Sequence, residues 1–72
     1  MKRYTILLTK EDDAYLVDVP ALPGCHTWGA TRDEALRNAQ EAVELYLEEL
    51  RATGEPIPED VAPQVASVEV AA

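Results

Sequence analysis

Cys25 and His26 stand side by side, the one place in this chain where a nucleophile and a base are neighbours. A thiol needs its base within hydrogen-bond reach. Adjacent residues of a strand point to opposite faces, so that pairing is geometrically poor and a buried, inert Cys25 is expected. The carboxylates of Asp12, Asp13 and Asp18, with Glu11, form the second group that invites a chemical reading. A two-metal hydrolytic site needs carboxylates that converge. Three of these four follow one another in a polar stretch, where a solvated acidic turn is the simpler reading. His26 and Trp28 alternate along one short segment and so share a face. The favoured reading is a core Trp28 with a surface His26, because a small chain needs every large apolar group it has. The alternative is an exposed pair anchoring a partner, since Trp is enriched at interface hot spots. No catalytic residue, metal ligand set or cofactor site is assigned. The candidates are for binding: Asp12, Asp13, Leu16, Asp18, His26 and Trp28.

These residues must be positioned by very little protein. The 72 residues suffice for one domain, spanning 1–72, which buries only a modest share of its surface. There is one cysteine and one histidine, hence neither a disulfide framework nor a structural metal cluster, and self-association is the expected extra source of stability. The net charge is −8, from 14 acidic and 6 basic residues. Such a balance opposes binding to phosphates, so direct nucleic-acid binding is not expected. It suits a basic partner. Residues 54–72 carry four acids and no base. No apolar run approaches the ~18 residues of a membrane span, and no signal peptide is recognisable. With its lone unpaired cysteine the chain reads as cytoplasmic.

Residues 3–9 alternate as a strand, with Tyr4, Ile6 and Leu8 on one face and Leu7 on the other. Lys10 to Asp13 read as a turn. Residues 14–19 form a second strand, with Tyr15, Val17 and Val19 on one face and Leu16 and Asp18 on the other. Pro20-Ala21-Leu22-Pro23-Gly24 breaks the ladder as a turn, or alternatively forms a rigid lip beside a binding face. Residues 25–28 are a short third strand.

The helix is the clearest element. Thr31 and Glu34 form a capping box, and Leu36, Ala39, Val43, Tyr46, Leu47 and Leu50 recur at helical spacing. Glu41, Glu44, Glu48 and Arg51 fill the solvated side. Gly54 and Pro56 end it, giving a helix over about residues 32–53. After a Pro-rich connection, residues 65–70 read as a fourth strand. The expectation is an α+β fold, β-β-β-α-β, with a four-stranded mixed sheet in order 3-2-1-4 and one long helix on one face. The other face, carrying Leu7 and Leu16, is left bare for a partner.

From Tyr15 to Ile57 the chain resembles the HicB antitoxin family. The resemblance rests on Tyr15-Leu16-Val17, the turn Pro20-Ala21-Leu22-Pro23-Gly24-Cys25, the helix start Gly29-Ala30-Thr31-Arg32-Asp33-Glu34-Ala35, and Gly54-Glu55-Pro56-Ile57-Pro58. Each piece alone is weak; the ordered set at these spacings is fairly specific. Ala21 and Ala30 depart from the acidic residues common in the family. The resemblance implies a partial RNase H-like fold and assembly into dimers or tetramers. It also implies the role of antitoxin to a small basic RNA-cleaving toxin, HicA. Family members often carry a C-terminal DNA-binding segment; no helix-turn-helix or ribbon-helix-helix unit is recognisable here, which leaves operator binding open. In the RNase H fold a carboxylate typically sits on the first, central strand; residues 3–9 contain none. The reading is a non-enzymatic antitoxin-like binding protein. The alternatives are a solitary HicB-like oligomer without a toxin and, furthest off, a divergent metal-dependent nuclease using Asp18.

Overall fold

A computed structural model describes residues 1–72. Its elements are β1 (Leu7–Glu11), β2 (Ala14–Asp18), β3 (His26–Gly29) and α1 (Arg32–Ala52). The three strands form an antiparallel meander in the order β1-β2-β3. The four-stranded mixed sheet expected from the alternation is not what the chain builds. Residues 65–70 enter no ladder, and Val65, Val68 and Val70 are 93%, 85% and 78% exposed. Alternation describes a segment's capacity to pair; it does not supply a neighbouring edge. Here the connection is tied down before it reaches that segment. The Tyr4 hydroxyl donates to the Pro58 carbonyl, and the Thr5 amide and hydroxyl donate to the Asp60 carboxylate at 2.9 and 2.8 Å. From that clasp the chain leads outward into solvent.

The hairpin register also corrects the first strand, expected at 3–9. Glu11 pairs with Ala14, which makes Asp12-Asp13 a two-residue turn and draws Lys10 and Glu11 into the ladder. Asp12 takes a φ of +52°, a left-handed position that Asp tolerates better than most residues.

Between β2 and β3 the expected Pro-Gly turn is two consecutive β-turns. Leu22 N–H donates to Val19 O at 3.0 Å, and Cys25 N–H donates to Leu22 O at 2.9 Å. Each has proline at its second position, and Gly24, at φ +80°, supplies the left-handed third position of a type II turn. Folding the segment this tightly carries Leu22 inward, where it is wholly buried.

The helix begins and ends as its residues dictate. Glu34 N–H donates to Thr31 Oγ1 at 3.1 Å, and the Glu34 carboxylate accepts from Ala30 N–H at 2.8 Å. This is a capping box whose return bond falls one residue early. At the far end Gly54 N–H donates to Arg51 O and Glu55 N–H to Leu50 O, a Schellman motif with Gly54 at φ +75°. The buried face is small: Ala35 and Ala39, with Leu47 further along. Short side chains let the helix lie close over β3 and β2. Val17, Val19, Leu22, Cys25, Ala35, Ala39 and Leu47 form the core, with Ile6, Leu8 and Tyr15 packed against it.

Asp60 gives the clasp a pH signature. The backbone N–H of Thr5, then its hydroxyl, hold the carboxyl below its ordinary range. A lowered folded value stabilises fully above the unfolded value, and the contribution disappears as pH falls through the folded value. Acid titration followed by the Thr5 amide resonance therefore shows a transition below the usual aspartate range. A midpoint within or above that range contradicts the clasp.

Candidate functional site

Strand pleating sorts the side chains of the sheet onto two faces. On the helix side lie Tyr15, Val17 and Thr27, with Leu8 opposite Val17. On the other side no element of the subunit packs. That open face is a grid of two cross-strand rows. Thr9, Leu16 and Trp28 form one, and Leu7, Asp18 and His26 form the other. Neighbours in a row have Cβ atoms only ~5 Å apart. Together these six residues line a shallow depression of about 540 Å³.

Its character is apolar with acid at the margin. Trp28 is 58% exposed, Leu16 40% and Leu7 38%. The favoured core position for Trp28 is thus overturned. The register puts its side chain opposite Leu16 on the face away from the helix, and the helix side is filled instead by Gly29, Ala35 and Ala39. Asn38 Nδ2 donates to the Trp28 carbonyl at 2.8 Å and so fixes the backbone that presents the indole.

Four of the six sequence candidates, Leu16, Asp18, His26 and Trp28, meet on this face. Asp12 and Asp13 do not join them; they occupy the exposed hairpin turn at the end of β1 and β2. Leu7 and Thr9 complete the face without having been among the candidates. Leu7 was legible, because it alternates out of the Tyr4-Ile6-Leu8 face. Thr9 carried no distinguishing signal beyond the same alternation.

Cys25 is buried at the end of the Pro-Gly turns. Burial first, and the negative charge of Asp18 second, push its thiol above the ordinary range. A thiol kept protonated is a poor nucleophile. Native protein at neutral pH is expected to react with a disulfide reagent many times more slowly than the unfolded chain. Equal rates contradict this placement. Nowhere do three His, Cys, Asp or Glu side chains gather in a way that could hold a metal ion. No helix is long and apolar enough to cross a membrane.

Comparison with known proteins bears on what such a face is for. A family model described as the HicB-like antitoxin of bacterial toxin–antitoxin systems matches residues 4–71. A UPF0150 protein of Thermoplasma acidophilum is 48% identical over 64 residues, which cover 88% of this chain and 93% of that protein. Another UPF0150 protein, from Synechocystis, is 48% identical over 58 residues, covering 79% of this chain and 73% of its own length. An uncharacterised 14.9 kDa protein from the rep-hol intergenic region of Haemophilus phage HP1 is 40% identical over 55 residues, covering 76% of this chain and 41% of that protein. No solved structure matches.

Proposed function

Because the chain belongs to the HicB-like antitoxin family of bacterial toxin–antitoxin systems, we propose that it neutralises a small basic RNase toxin of the HicA type by covering that toxin's active surface. The observation that carries this reading is the open sheet face. Trp28, Leu16 and Leu7 are exposed together on a rigid ladder, and the opposite side of the same ladder is occupied by α1. Exposed aromatic and aliphatic groups on a regular element are what an interface core requires.

Charge supports the choice of partner. Asp18 lies within the face, and Glu11, Asp12 and Asp13 extend from its hairpin end on a chain of net charge −8. A basic surface that grips RNA phosphate meets there a complementary field, which speeds encounter and selects against acidic competitors. Inhibition of this kind is occlusion. It needs no catalytic group from this chain, and none is assigned. Self-association into dimers or tetramers accompanies the proposal, as an added source of stability for a domain with nine buried residues.

The test is to look for a short, strongly basic reading frame beside this one and to co-express the two. The neighbour alone arrests growth, and joint expression restores it. If no neighbouring product is toxic, the chain is instead a solitary oligomeric member of its family.

A further inference from the structure

We propose that the open sheet face contains an arginine subsite: one arginine side chain of a basic protein partner lies against Trp28 and ends on the Asp18 carboxylate. The inference rests on the partner role proposed for this face and names the side chain that the face takes.

The pairing of β2 with β3 builds the subsite. Val19 N–H donates to the Cys25 carbonyl at 3.1 Å, which makes those two residues a hydrogen-bonded pair. Alternation along the ladder then makes Leu16 with Trp28, and Asp18 with His26, the close, non-bonded pairs. Side chains within each pair stand ~5 Å apart, and Asp18 lies diagonally from Trp28 at ~7–8 Å. All four residues border the depression of about 540 Å³. An extended arginine side chain bridges the diagonal, passing between Leu16 and His26. Its stem and guanidinium plane rest on the indole, and its N–H groups reach the carboxylate.

Asp18 has no cation of its own. The one ion pair of the subunit joins Lys2 to Glu59. Lys10, the single Lys or Arg within the strands, stands opposite Tyr15 on the helix side of the sheet, with its Nζ 6.0 Å from the centre of that ring. An exposed carboxylate flanked by apolar groups is therefore left to a cation from outside. Trp28 decides which cation. A guanidinium is planar and weakly hydrated, so it stacks on an indole while its edge gives two parallel N–H bonds to a carboxylate. A lysine ammonium is a strongly hydrated point charge and has no plane to stack.

NMR titration of the full chain at low ionic strength tests this. The probe is a blocked tripeptide with one arginine between two alanines, beside its lysine counterpart. The Trp28 indole N–H and the Asp18 amide are expected to shift saturably, with the arginine peptide bound about 3-fold or more tighter than the lysine peptide. Asp18→Asn and Trp28→Leu are each expected to weaken the arginine peptide about 5-fold. Glu41→Gln removes one charge from the solvated side of α1 and is expected to leave binding unchanged. His26→Arg sets a guanidinium of the subunit's own opposite Asp18 and is expected to abolish it. All four positions are exposed, so the variants keep their circular dichroism. The absence of a saturable shift, or equal affinity for the two peptides, overturns the subsite. So does arginine binding that survives Asp18→Asn, or that Glu41→Gln weakens as much. No toxin enters the titration, so a failed co-expression test bears on the toxin reading alone and a failed titration on the subsite alone.

Discussion

Gly29→Ala is expected to destabilise the protein by about 3 kcal/mol, the upper part of the range for overpacking a filled site. A methyl group added at Gly29 would sit 2.4 Å from the Ala35 nitrogen, 2.8 Å from its Cα and 2.9 Å from the Glu34 carbonyl carbon. These are backbone atoms of the first turn of α1, so relief requires moving the helix off β3. A domain of this length has about 4–11 kcal/mol in total, and the loss therefore takes a large share of it. Gly24→Ala is the internal control. Nothing lies within 4 Å of a Cβ there, and only the left-handed φ of +80° opposes the change, a cost of about 1–2 kcal/mol. Urea unfolding of the two variants separates the causes. Gly29→Ala should lower the midpoint well below that of Gly24→Ala, and equal midpoints would show that the helix does not press on β3 as described.

If the open sheet face is the toxin-binding surface proposed above, Trp28→Ala is expected to weaken binding of that partner by about 30-fold or more, the ~2 kcal/mol of an interface hot spot, with little effect on the fold. The indole is more than half exposed and contributes nothing to the buried core. Leu45 is 59% exposed on the helix, so Leu45→Ala removes comparable apolar surface from another side and should leave affinity unchanged. Calorimetric titration of each variant against the purified basic toxin measures the difference. Unchanged affinity for Trp28→Ala, or equal losses for both variants, would move the interface away from the sheet face.

The helix was legible almost to the residue because its ends are set by local chemistry. Thr31, Glu34 and Gly54 each do in the structure what their types allow. The second strand was legible for a similar reason, since Tyr15, Val17 and Val19 alternate without ambiguity. What escaped the sequence depended on partners distant along the chain. The burial of Leu22 arises from two turns folding together. The exposure of Trp28 follows from the choice of Ala35 and Ala39, not Trp28, to fill the space between β3 and the helix. The alternation at 65–70 was read correctly as a pattern but wrongly as a fourth strand of the same sheet, because period alone carries no record of which edge is within reach. Of the binding candidates, the four on β2 and β3 were gathered by pleating. Asp12 and Asp13 were instead set apart by the turn they form.

Trp28 is the chain's one tryptophan, so its fluorescence reports on the open face and on nothing else. Titrating the basic toxin into the protein should shift Trp28 emission to shorter wavelength and protect it from a soluble quencher, with both changes saturating as the complex forms. A toxin free of tryptophan, or one with its tryptophans replaced, keeps the signal unambiguous. A complex that forms while Trp28 emission and quencher access stay as they were in the free protein would place the toxin on another surface and refute the sheet face as the site of inhibition.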